Sequence, residues 1–243
     1  MHVVVNQKLI TTRVRIASAA HIAALGVFAL GLYISWTNPE PTLEQMGMAY
    51  AAIIIGLILY NVGQVFLRRY GPRMRQDGVL SRTLKGLDKR FTLVAFPSTK
   101  LPEYMIVGPS GVQIIVTRTH DGAISCRSNT WRRDPGSGLK RLTSLFGGSP
   151  FGDPTQEAAR GIAQVRAKLA SAGIAEASQP PVDAIIAFTN PAAKLRIDGC
   201  TYPVTGLKGL RGAIRGTGGG KAAARDRVLN EQAASRVVQA LTG

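Results

Sequence analysis

Metal-assisted hydrolysis of a phosphoester needs several carboxylate oxygens gathered on one hard cation, which polarises the phosphate and lowers the pKa of a bound water. Only 14 of the 243 residues are Asp or Glu, so the candidates are few. The stretch EYMIVGPSGVQIIVTRTHDG, residues 103–122, carries Glu103 and Asp121 with Arg118 between them. Farther along stand Asp134 and Asp153. Asp121 falls in the turn after an apolar run, Asp134 in a loop, and Asp153 just before a helical pattern. Asp is favoured in turns and helix caps for local reasons, so each of the three reads first as structural. Arg118 can grip a phosphate with its planar fork, yet it stays protonated near neutrality and cannot trade a proton.

Other chemistry finds less support. GTGGGKA, residues 216–222, departs from the GxxxxGK[ST] spacing of a phosphate-binding loop, and Ala222 lacks the hydroxyl that would hold Mg²⁺, so it reads as a flexible basic linker. No Ser-His-Asp set or Cys-His pair is evident. The 2 cysteines, Cys126 and Cys200, form no CxxC pair, and there are only 3 histidines, His2, His21 and His120. This supports neither a disulfide framework nor a zinc site, and a reducing compartment is the simpler expectation.

The elements that must position these residues begin in the membrane. Residues 16–36, IASAAHIAALGVFALGLYISW, and residues 48–67, MAYAAIIIGLILYNVGQVFL, carry no formal charge. Each is long enough to cross a hydrocarbon core roughly 30 Å thick. The first is too long for the apolar part of a signal peptide, and no small-residue cleavage site follows it. Both should be helical, with Tyr33, Trp36 and Tyr50 near their ends, where amphipathic aromatics settle. His21 can face the partner helix, and a structural hydrogen bond is favoured over a proton site. Lys8, Arg13 and Arg15 precede the first span, Glu40 and Glu44 sit between, and Arg68, Arg69, Arg73 and Arg75 follow the second. That asymmetry predicts both basic flanks in the cytoplasm. The division expected is a cytoplasmic segment 1–15, spans 16–36 and 48–67, an external loop 37–47, a basic linker 68–79, a domain 80–216, and a basic linker with a C-terminal helix over 217–243. The placement expected is an inner-membrane protein with both termini cytoplasmic.

Within the domain, leucines at 80, 84 and 87 predict a short helix, and RFTLVAFP, YMIVG and VQIIVTR read as strands, the last two a hairpin around Pro109-Ser110-Gly111. GAISCRSNTWRR extends this meander, with Ile124, Cys126 and Trp131 inward. Residues 135–152 read as a loop whose Leu139, Leu142, Leu145 and Phe146 act as a lid or touch the membrane, the lid being favoured. Asp153 caps a helix over 153–173 with Pro154 in its first turn, Gly173 as terminator, and Ala158, Ile162, Val165 and Leu169 on its inner face. VDAIIAFTN is an apolar run that reads as a buried strand, and the last helix covers 223–243. The order predicts an α/β (α+β) domain with a central mixed sheet flanked by helices.

In order and spacing, EYMIVGPSGVQIIVTR, DGAI followed by Trp131, DPTQEAARGIAQVRAKL and DAIIAFT resemble the nuclease-related (NERD) domain family, itself similar to the PD-(D/E)xK nuclease fold. The likeness covers roughly residues 78–216. It implies a nuclease-like fold with a Glu on the first helix, an Asp entering the hairpin, and a Glu and a Lys on the next strand. Here those places fall at Val79 or a neighbour, Glu103, Val116 and Arg118. The resemblance therefore implies a vestigial site of Glu103, Val116 and Arg118, with Asp121 as a possible rescue, no resident metal, and hydrolysis impaired while binding survives. Arg118, Arg132, Arg133, Lys140, Arg141 and Gln156 are the binding candidates.

Thirty Lys and Arg give the chain a formal charge of +16, and the excess persists from Leu80 onward. Such a surface favours an anionic partner: phospholipid, nucleic acid or an acidic protein. Beyond the bilayer itself, the expected partners are nucleic acid or other subunits of a membrane complex. The rival readings are an active membrane-tethered nuclease using Mg²⁺ at an atypical site and an accessory subunit whose domain only docks.

Overall fold

The computed structural model describes residues 1–37, 42–134, 151–216 and 229–243. Among these the chain separates into two compact units, Gln7–Arg75 and a second made of Met1–Asn6 with Gln76–Gly243. The expected lid or membrane contact at 139–146, the glycine-rich linker and the first residues of the last predicted helix lie outside the described residues.

The first unit is a helical hairpin. Helices α1 (Gln7–Thr37) and α2 (Leu43–Tyr70) outrun the uncharged runs that predicted them, and both are long and apolar enough to cross a membrane. Only 17% of the most apolar window of each is buried. Leu25, Leu32, Ile54 and Ile58 all lie exposed, an arrangement suited to a hydrocarbon solvent rather than a globular core. The seam is made of small residues. Ile10, Ala17, Ala24 and Gly31 are buried along α1, and Ala52, Gly56, Gly63 and Tyr70 along α2. Seven-residue steps keep one face toward the partner helix, and small side chains let the backbones approach. A Cβ on Gly63 would lie 2.8 Å from the His21 ring. His21 thus faces the partner helix as expected, edge-on to Tyr60 at 5.2 Å, but its Nε2 has no hydrogen-bond partner in place of the bond anticipated. Thr42 starts α2 with a capping box, accepting from the Gln45 amide at 3.3 Å while its own amide donates to Gln45 Oε1 at 3.0 Å.

The second unit is α+β, a mixed sheet flanked by helices, with a smaller sheet attached. The larger sheet has six strands: β1 (His2–Val5), β2 (Thr92–Ala95), β3 (Tyr104–Gly108), β4 (Gly111–Arg118), β7 (Val182–Phe188) and β9 (Val204–Gly206), in that spatial order. All run parallel except β3. Strand β1 was not anticipated. His2-Val3-Val4-Val5 is β-branched, but only its pairing with Thr92–Ala95, 90 residues later in the numbering of each pair, makes it a strand. The smaller sheet has three strands, β6 (Thr130–Asp134), β5 (Gly122–Arg127) and β8 (Ala193–Asp198). This corrects the reading of GAISCRSNTWRR as a continuation of the meander: β5 pairs with β8, not with β4.

Helix α3 (Asp77–Thr83) begins earlier than predicted, although Leu80, Leu84 and Leu87 are all buried. Helix α4 (Pro154–Ser171) matches its signals. Asp153 accepts from the amides of Thr155 and Gln156, and Gly173 has the left-handed φ of +81° that suits a residue without Cβ. Helices α5 (Leu207–Gly216) and α6 (Glu231–Thr242) complete the unit. The α4 and α6 side packs Ala158, Val165, Leu169, Val237 and Leu241 against Val112, Ile114 and Val116. In β4, Gly111 has φ +114°, and a Cβ there would collide with the Pro181 carbonyl. Glycine is required at that turn.

Candidate functional site

Strand β4 delivers the residues in question to its carboxyl end. Side chains alternate along a strand, so Val112, Ile114 and Val116 share the face that α4 covers, and Arg118 follows them at the rim. Val116 is only 3% exposed and belongs to the apolar core. The antiparallel register places Met105 opposite Ile114; extended by two residues it brings Glu103 level with Val116. Glu103 itself precedes β3, and its carbonyl accepts from the Phe96 amide at 2.7 Å.

Arg118 is already occupied. Its NH2 group donates to Glu157 Oε2 at 2.6 Å, its Nε to the Phe151 carbonyl at 3.1 Å and its NH1 to the Thr117 carbonyl at 3.0 Å. A charge-assisted pair with two further bonds holds the guanidinium in place. Val116 shares its apolar cluster with Phe188, and Trp131 and Phe151 pack against that cluster. Phe151 lies 5.1 Å from His120, 6.1 Å from Trp131 and 6.3 Å from Phe188, and Trp131 lies 6.0 Å from Phe188. Trp131 Nε1 donates to Thr155 Oγ1 at 2.8 Å, which satisfies the indole and pins it to the first turn of α4.

The remaining candidates are dispersed. Asp121 is the partner of Arg133: Oδ1 accepts from NH2 at 2.7 Å and the carbonyl from Nε at 3.1 Å. The rescuing acid and one predicted binder thus neutralise each other. Asp134 is not in a loop but ends β6, and Asp153 caps α4. Val79 lies within the short α3. Arg132 and Gln156 are exposed, while Lys140 and Arg141 lie outside the described residues. No group of three His, Cys, Asp or Glu side chains is gathered among the described residues. Away from this region, the Arg90 guanidinium hydrogen-bonded to Asp88 holds that exposed carboxyl below its ordinary value.

Cys126 and Cys200 form a disulfide, Cα atoms 6.4 Å apart, which corrects the expectation of free thiols. The two are 74 residues apart, so nothing local announces the bond. Parallel pairing sets Cys126 opposite Ile197, and the turn at Gly199, φ +63°, brings Cys200 back against it. Asn129 brackets the same turn, donating from Nδ2 to Thr201 Oγ1 at 2.8 Å and accepting from the Thr201 amide at 2.9 Å.

The residues that sequence reasoning missed are Glu157, Phe151 and His120 at the rim of β4. Glu157 was visible only as a first-turn acid of α4, and its pairing with Arg118 spans 39 residues. Compared with protein-family models, with curated proteins and with solved structures, the chain finds no match in any of the three.

Proposed function

We propose that this chain is a membrane-anchored protein of the inner membrane, entered by a two-span hairpin, whose nuclease-like domain has lost hydrolysis and serves binding or assembly. The observation that carries this reading is the closure of the β4 end. A buried valine, an arginine held by Glu157, and the rings of Phe151, Trp131 and Phe188 occupy the place where the resemblance implies a cation and its carboxylates. Among these residues the one carboxylate, Glu157, is already held by Arg118, whereas a hard divalent ion takes about six or more oxygen ligands. The purified full chain, mixed with labelled single- and double-stranded DNA or RNA and Mg²⁺ or Mn²⁺, is expected to leave every substrate intact. Metal-dependent cleavage that disappears in Glu103→Ala overturns the proposal.

Strand β1 supports an even number of crossings. It precedes α1 and pairs in parallel with β2, which follows α2, a pairing that fits a chain leaving and returning on one side of the bilayer. The basic flanks favour the cytoplasmic side. The Cys126–Cys200 bond favours a second reading, with the domain on an oxidising face. Protease digestion of sealed vesicles of known orientation, with tags on both termini, decides between them. Both tags should be cut together from the cytoplasmic side. Tags cut from opposite sides would eliminate the hairpin itself.

A further inference from the structure

Because β3 alone opposes the others, the carboxyl ends of β1, β2, β4, β7 and β9 share one edge of the large sheet. Two parts of the chain leave from that edge. Asn6, anchored by its amide to the Ala95 carbonyl at 3.2 Å and by Nδ2 to the Pro97 carbonyl at 3.1 Å, is the link from β1 into α1. The small sheet is the other, since β5 begins at Gly122 just after β4 ends at Arg118, and β8 begins at Ala193 just after β7 ends at Phe188.

The register of the small sheet fixes what its outer face presents. Arg132, Ser125 and Arg196 form one row, Asp134, Ala123 and Lys194 the next, and Thr130, Arg127 and Asp198 the third. The opposite face holds the buried Ile124 and Cys126. Arg127, Arg132, Lys194 and Arg196 are exposed, and none makes an ion pair or side-chain hydrogen bond with another described residue. Neighbouring strands lie about 4.8 Å apart, so Arg132 and Arg196 stand about 10 Å apart with Ser125 between them.

We propose that this face docks on the anionic headgroups of the bilayer that the hairpin enters, its arginines and lysine taking lipid phosphates. The inference rests on the membrane-anchored reading above. Three strand spacings, about 14 Å, separate β1 from β4, and the link 119–121 reaches at most about 14 Å more. The face therefore begins within about 30 Å of the residue that feeds α1. Headgroups are held near it permanently by the anchor, whereas a soluble anion must be bound from solution. A single-stranded nucleic acid fits less well, because among the described residues no aromatic side chain stands in the three rows of the outer face for bases to stack on.

The test uses the full chain in nanodiscs of phosphatidylcholine alone or with about one-third phosphatidylglycerol, with amide exchange read by mass spectrometry over 122–134 and 193–198. Exchange should slow about tenfold in the anionic discs, and the protection should vanish near 0.5 M salt. It should also vanish in the Arg132→Glu/Arg196→Glu variant, while Lys89→Glu/Arg90→Glu keeps it. Equal exchange in both discs overturns the proposal. So does protection that appears in neutral discs only when an oligo-dT or a poly-glutamate peptide is added, which would assign the face to nucleic acid or to an acidic protein. A chain that stays out of the discs defeats the anchoring reading and this one together; a chain that enters them and exchanges alike defeats this one alone.

Discussion

The rim of β4 and the outer face of the small sheet follow one another in the chain, and their basic residues are treated in opposite ways. At the rim, Arg118 and Arg133 each meet a carboxylate, Glu157 and Asp121, at 2.6 and 2.7 Å. On the outer face, Arg127, Arg132, Lys194 and Arg196 meet none among the described residues. Partial burial explains the difference. The Arg118 and Arg133 side chains are 12% and 19% exposed, and a cation so far withdrawn from water must be paired. Exposed arginines carry less of that cost. Of the binding candidates, Arg118 and Arg133 are thus paired within the fold, whereas Arg132 stands exposed on the outer face.

The strongest way to break this contrast is to place an acid at the rim. Val116→Glu places a carboxylate where the resemblance implies one but inserts it into the apolar core. It should cost about 3–5 kcal/mol, the penalty of an uncompensated buried charge, and yield no metal-dependent cleavage. Thermal unfolding in detergent and a nuclease assay check the two halves. A stable, active variant would mean that the rim opens readily. Next comes the bond that holds the small sheet together. Reducing Cys126–Cys200, or replacing Cys200 by Ser, should lower stability by about 2–4 kcal/mol, since the bond closes a long loop. Denaturant melts with and without reductant measure this, and identical curves would show the hydrogen bonds of Asn129 and Thr201 to suffice. The smallest effect belongs to the open face. Arg132→Glu and Arg196→Glu should each change stability by less than about 0.5 kcal/mol, because exposed and unpaired charges hold nothing in place. A larger loss in the same melts would reveal a structural duty and weaken the contrast.

Much of the fold was legible. The hairpin follows from two uncharged runs, α4 from Asp153, Pro154 and a three-to-four-residue apolar repeat, and β7 from a continuous apolar stretch. These signals are local: a cap, a period, or a length set by the bilayer. The errors share a cause as well. β1 and β8 are short and acquire their identity from partners far along the chain. The detachment of β5 and β6 from the meander depends on β8, whose alternation in AKLRID could have suggested a strand with Lys194 and Arg196 on one side.

By itself the sequence determined the chemical stock of this protein: few acids, a surplus of Lys and Arg, and two stretches that only a membrane or a large core could shelter. Helix signals and charge asymmetry act over a few residues, and for that reason they can be read in one dimension. The tertiary structure alone decided which charges cancel, which cysteines meet and which strand comes home across the hairpin. Pairing at a distance depends on the register of the two sheets, and register is settled only when the whole apolar face of each strand has been buried.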